Sequence, residues 1–162
     1  MSSWGVSSVR TFVKPATILV LLLLLAVEAH GACTVSATGI NFGGYDVFVA
    51  TPLDSTGSVT VSCDRNPPTD VTVAIGPSAT SGGFNPRSMR HPSRTDRLNY
   101  NLFTSPSMNV VWGDGTAGTA TVFLFKVNKN RPQSAMIYGR ILPGQNVSVG
   151  SYGDRLTVTI TP

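Results

Sequence analysis

His91 is the side chain in this sequence best suited to acid–base or nucleophile-activating chemistry, because of the two histidines His30 lies at the end of an apolar leader-like segment. A Ser-His-Asp arrangement is formally open to it. That chemistry asks for a nucleophile held on a strained turn, yet no G-x-S-x-G motif occurs, and Pro92 beside His91 marks a solvent-exposed loop. A zinc or copper centre needs several His or Cys ligands. The only cysteines are Cys33 and Cys63, which are expected to be engaged with each other. No catalytic, metal-binding or cofactor-binding residue is therefore expected, and the chain reads as a non-enzyme.

The carboxylates point the same way. Beyond Glu28 they are Asp46, Asp54, Asp64, Asp70, Asp96, Asp114 and Asp154, most of them beside Gly, Pro or Ser, where Asp caps the backbone of a turn. A pair could still meet in space for glycoside hydrolysis. Gly113-Asp114-Gly115 lacks the further ligands of a calcium loop and the Lys-Ser/Thr of a phosphate cradle, and is read as a tight hairpin. Asn146-Val147-Ser148 matches a glycosylation sequon but equally suits a β-turn.

Arg87, Arg90, Arg94 and Arg97 cluster without the interleaved aromatic residues that would stack bases. They are read as a solvated or salt-bridged loop, with an anionic glycan or a membrane surface as the alternative contact. No nucleic-acid partner is expected. Arg10 and Lys14 precede an apolar run from Ala16 to Val27 that includes Leu21 to Leu25, the layout of an export signal. The run is about a dozen residues, short of the roughly 20 of a spanning helix. Ala29 and Gly31 suit cleavage before Ala32, and Val27 and Ala29 suit cleavage before His30. Residues 1–31 are thus expected to be a cleaved signal and residues 32–162 a single domain with no membrane anchor. Ten basic residues then face seven aspartates, a mild positive excess.

Positioning elements come from a period-two pattern. Val59, Val61 and Cys63 alternate with Thr60 and Ser62. Val71, Val73 and Ile75 repeat the pattern, as do Leu98, Tyr100 and Leu102, and the last segment sets Leu156, Val158 and Ile160 against threonines. Clusters such as Gly43-Gly44, Asn66-Pro67-Pro68, Ser81-Gly82-Gly83 and Pro143-Gly144 punctuate these runs with turns. An all-β, broadly Ig-like antiparallel sandwich is expected. In an exported protein Cys33 and Cys63 are expected to form a disulfide tying the N-terminus to the core, with free thiols or a bridge to another chain as alternatives.

Ordered landmarks add a resemblance. Cys33-Thr34-Val35, Asn41-Phe42-Gly43 with Tyr45, Gly57 to Cys63, Val73-Ala74-Ile75-Gly76, Arg87-Ser88-Met89, Leu98 to Leu102, Trp112 to Gly115, Tyr138 to Gln145 and Val149 to Ile160 resemble the spore coat U domain in sequence order. Tyr138, Gly139 and Arg140 are read within it as a bend and packing residues. The resemblance implies a subunit of archaic chaperone-usher pili: an Ig-like sandwich lacking one strand. A periplasmic chaperone, and then a neighbouring subunit delivered through the usher, supplies that strand by β-strand addition. It also implies passage through the periplasm to the cell surface.

One departure stands out. Cleavage near residue 31 leaves a stub too short to span a groove at about 3.3 to 3.6 Å per residue, so the chain is expected to accept a strand rather than donate one, as a tip, terminal or free-standing member. The final segment, Leu156, Val158 and Ile160, is expected to wall the acceptor groove, since no further strand follows before Pro162. The competing function is a self-contained secreted adhesin or glycan-binding module, whose exposed apolar loop tips would be Phe84, Met89, Met108 and Val110.

Overall fold

A computed structural model describes residues 32–162; the expected export signal lies outside them. Eight strands follow in order: β1 (Cys33–Thr38), β2 (Leu53–Cys63), β3 (Thr69–Ile75), β4 (Arg87–Arg90), β5 (Arg97–Phe103), β6 (Val122–Val127), β7 (Gln133–Ile141) and β8 (Val158–Thr161). Most coincide with runs in which β-branched or aromatic side chains alternate with Ser, Thr or Asn, which suits a pleated surface with one apolar face. The strands pair antiparallel in two sheets, ordered β1-β2-β7-β5-β4 and β6-β3-β8. This is an Ig-like β-sandwich.

The interior is built from the inward faces that the alternation marks. Val59, Val61 and Cys63 of β2 and Val71, Val73 and Ile75 of β3 join Trp112 in one cluster, none more than 1% exposed. Full burial of such an aliphatic side chain stabilises by about 1.5 to 3 kcal/mol relative to leaving it in water. Trp112 donates its indole N–H to the Val73 carbonyl at 3.1 Å, so its one polar atom is satisfied. Cys33 lies opposite Cys63 in the β1–β2 register and the two form a disulfide.

Arg87 departs from the expected solvated loop, for it is wholly buried. Alternation along β4 turns it inward, where Nη2 donates to the carbonyls of Trp112, Gly76 and Ile75 at 2.8, 3.0 and 3.2 Å. Its guanidinium carbon lies 5.4 Å from the Phe84 ring centroid, a cation–π distance. Burial pushes the guanidinium below its ordinary range, while Tyr100 and Asp154 act to restore it. The side chain thereby clamps β4 to the end of β3 and to the Trp112 segment.

Three local readings change. Tyr138, Gly139 and Arg140 make no bend but run through β7. Gly139 is required by close packing, since a Cβ there would stand 2.8 Å from Ile40 Cδ1 and from Phe42 Cζ. Arg140, on the opposite face, makes a bidentate pair with Asp54 of β2, both contacts at 2.7 Å. Gly113-Asp114-Gly115 opens a compact loop rather than a hairpin: Gly113 N–H donates to Ala120 O, the Trp112–Ala120 bridge is parallel, and the Asp114 carboxylate accepts from Thr116 N–H. The final strand begins at Val158, so Leu156 precedes it in extended chain.

Candidate functional site

β8 is an edge strand, hydrogen-bonded to β3 alone. Thr157 O accepts from Gly76 N–H at 2.8 Å, and Arg155 O accepts from Ala79 N–H at 3.3 Å. Gly153 and Arg90 exchange backbone hydrogen bonds of 2.9 and 3.1 Å. Odd-numbered residues of this segment thus turn their amide groups toward β3 and β4. In an antiparallel strand the even-numbered ones must turn theirs the other way, so Leu156, Val158 and Ile160 present N–H and C=O groups along an edge with no strand neighbour among the described residues. From Asp154 to Ile160 that edge spans about 20 Å, at roughly 3.3 Å per residue.

Side chains repeat the message. Leu156, Val158 and Ile160 face the core but are only half-buried. Across the gap stands β1, whose inner face is uncovered too: Val35 is 41% exposed while its register partner Val61 is 0% exposed. Between them runs an apolar groove of about 320 Å³, lined by Ala37, Ile40, Tyr100, Leu102, Leu156 and Val158 among others. Ile40, Phe42, Met89 and Tyr152 border both this groove and a wider cleft of about 640 Å³ that continues toward the 43–49 and 147–152 loops. Tyr45 ties the first of these loops to the segment after β7, its hydroxyl accepting from Gln145 N–H at 2.9 Å and donating to Leu142 O at 3.3 Å.

One polar pair sits in the groove wall. Tyr100 donates its hydroxyl to Asp154 at 2.8 Å, and Thr80 donates to the other carboxylate oxygen at 3.3 Å. Burial raises the Tyr100 phenol well above the ordinary tyrosine range, and the bond to Asp154 raises it further. The phenol therefore stays neutral and remains a donor.

The sequence matches the Spore Coat Protein U domain over residues 19–159. The chain belongs to that family. It is 36% identical over 143 residues to Protein U of Myxococcus xanthus, an alignment covering 81% of this chain and 78% of that protein. This Spore Coat Protein U domain is also similar in fold to a chain of the chaperone–tip adhesion subunit pre-assembly complex from archaic chaperone-usher Csu pili of Acinetobacter baumannii. There the TM-score is 0.56 at 23% identity, covering 80% of this chain and 39% of that one.

The residues that might have done chemistry are occupied structurally in this family member. His91 Nδ1 accepts from Ser93 N–H at 3.1 Å, and its ring packs edge-on against Tyr152 with centroids 5.4 Å apart. Asp46 and Asp114 accept from backbone two residues on, as turn aspartates do. Asp54 and Asp64 instead pair with Arg140 and Lys129, and hydrogen bonds from Arg140 hold the Asp54 carboxyl below its usual range. Among the described residues no group of three His, Cys, Asp or Glu side chains could hold a metal ion, and no helix is long and apolar enough to cross a membrane.

Of the residues named as groove wall, Leu156, Val158 and Ile160 all lie along the open edge. The β1 wall went unread, although Cys33, Val35 and Ala37 alternate with Thr34, Ser36 and Thr38 and carry the signal plainly. Of the loop-tip candidates, Phe84 covers Arg87 and Met89 lines the groove, Met108 is half-buried, and Val110 is 39% exposed. The most exposed apolar tips are Phe48 and Val149, at 93% and 99%.

Proposed function

We propose that this protein is a structural subunit of a secreted surface fibre or coat, and that its groove accepts a β-strand from a partner. The observation that carries the reading is the paired exposure along one seam: unpaired amides and half-buried apolar side chains on β8, facing a bare inner face on β1. An inserted strand would gain main-chain hydrogen bonds from the β8 edge while its alternate side chains filled the groove. Left open, such an edge is a template for aggregation. Leu156, Val158 and Ile160 form the acceptor wall from one side, with Val35 and Ala37 opposite.

Family membership and the pilus-subunit fold support the partner types: a periplasmic chaperone while the chain is in transit, an usher at the membrane, and a neighbouring subunit in the fibre. The reading is non-enzymatic. Export follows from the N-terminal signal, with the mature domain spanning residues 32–162 and lying outside the cell.

Amide exchange tests the groove. In the processed chain alone the Leu156, Val158 and Ile160 amides should exchange within the fast fraction, and the protein should tend to associate. Adding a co-produced periplasmic chaperone, or a peptide with alternating apolar residues, should protect those amides by about a hundredfold or more and yield a soluble one-to-one complex. A stable monomer with these amides already protected would overturn the reading in favour of a self-contained adhesin.

A further inference from the structure

The sheet topology assembles an arginine row on the outer face of the sandwich, away from the groove. Arg97 and Arg90 are directly opposed in the β5–β4 register, and Gly153 is opposed to Arg90 on its other side. Arg155, two residues beyond Gly153 on the same segment, is exposed as Gly153 is, and its carbonyl accepts from Ala79 N–H. All three arginines are exposed, and their chain neighbours Leu98, Met89 and Leu156 point inward.

Like charges directly opposed across a strand pair disfavour the pairing, and no described carboxylate, the adjacent Asp96 included, forms an ion pair with these. Among the described residues the ion pairs are Lys129–Asp64 and Arg140–Asp54, so none of the three arginines has a carboxylate partner. Arg97 gives one N–H to Thr80 O at 3.1 Å, leaving the rest of its fork free. Asp154, the acidic residue between Gly153 and Arg155, accepts from the Tyr100 and Thr80 hydroxyls and from Arg155 N–H. Beside Arg90 the surface is open, since a Cβ on Gly153 would meet nothing within 4 Å.

We infer that this row is a binding site for an extended polyanion, specifically a polysaccharide with one carboxylate per sugar. Each guanidinium can take a carboxylate through two parallel N–H···O bonds. Neighbouring strands repeat at about 4.7 to 4.9 Å, so the opposed Arg90 and Arg97 side chains form one positive patch that a chain carrying closely spaced carboxylates can cover. The outward neighbours on these strands, Asn99 and Gly153, offer no ring on which a base could stack, which disfavours single-stranded nucleic acid. Because Met89 faces the groove and Arg90 faces away, the row stays accessible whether or not the groove is filled.

The full processed chain is titrated with alginate, with neutral dextran and with a single-stranded DNA oligonucleotide of matched charge, at low and physiological salt. Alginate binding should weaken as salt rises and dextran should not bind. Arg90→Gln/Arg97→Gln should lose at least about tenfold in alginate affinity, whereas Lys126→Gln/Arg131→Gln, with the same loss of charge elsewhere, should stay within about twofold. Circular dichroism confirms that both variants retain strand structure. Equal losses in the two variants, no alginate binding at physiological salt, or tighter binding to DNA than to alginate would each overturn the inference. Since no strand partner enters the titration, its failure leaves the groove reading untouched.

Discussion

β2 and β8 carry the same period-two pattern of aliphatic and hydroxyl side chains, and they end in opposite conditions. Val59, Val61 and Cys63 of β2 are 0% exposed, because β1 and β7 flank the strand and the second layer covers its inner face. Val158 and Ile160 of β8 are half-buried, because β3 flanks one side and the other is bare. Alternation therefore specifies which face of a strand seeks an interior. Whether the molecule supplies enough neighbours to close that interior is a separate matter, settled by strand order.

The largest test of the closed side is Trp112→Ala. Removing a fully buried indole that also bonds Val73 O should cost about 3 to 5 kcal/mol in urea denaturation, and a loss below about 1 kcal/mol would mean the centre is not the anchor described. The disulfide comes next, for it fastens the open β1 wall to the closed β2. Cys33→Ser/Cys63→Ser should cost about 3.5 to 4 kcal/mol in the chain-entropy account for a loop of this length, with the fastest added amide exchange at Thr34 and Ser36, whose N–H groups face β2. Uniform exchange across the sandwich would argue against a selectively loosened β1.

A matched pair bears most directly on the contrast. Ile75→Ala on β3 should cost about 2 to 5 kcal/mol, while Ile160→Ala on β8 should cost no more than about 1.5 kcal/mol in the partner-free chain. The Ile160 penalty should rise toward the Ile75 value once a strand is bound. Equal penalties in the free chain would erase the distinction between the two regions.

The smallest effect is a pH dependence at the groove wall. The folded pKa of Tyr100 lies above the ordinary phenol value of about 10, so its stabilisation is complete below that pH and lost as pH climbs beyond it. The urea midpoint should fall more steeply between pH 8 and pH 11 in the wild type than in Tyr100→Phe. Burial raises Tyr152 as well, but both proteins keep it, so their difference isolates Tyr100. Parallel declines would show that Tyr100 does not couple to folding.

Much of this could be read from the residues. The cores of β2, β3 and β5, the Cys33–Cys63 bridge and the inward, half-buried faces of Leu156, Val158 and Ile160 follow from local alternation and residue type, which act over a few positions. β4 was missed because four residues are too few to display a period. Arg87 was misplaced because its partners are carbonyls at Ile75, Gly76 and Trp112, distant in sequence and invisible as side-chain chemistry. Gly139 reads as a bend in the sequence because a glycine that makes room for Ile40 and Phe42 looks no different there from one that turns the chain.

Side-chain alternation alone was enough to establish an antiparallel sandwich and its inward faces, since these depend on contacts between neighbouring residues, while the likeness to spore coat U domains lay in the order of the motifs from Cys33 to Ile160. Strand order decided the rest. Placing β8 at the end of one sheet and β1 at the end of the other leaves two apolar faces uncovered across a seam. Setting Gly153 beside Arg90 brings distant Arg155 toward the Arg90–Arg97 pair, which is itself a local hairpin contact. Both features arise from pairing across long sequence separations, which the compact fold alone imposes.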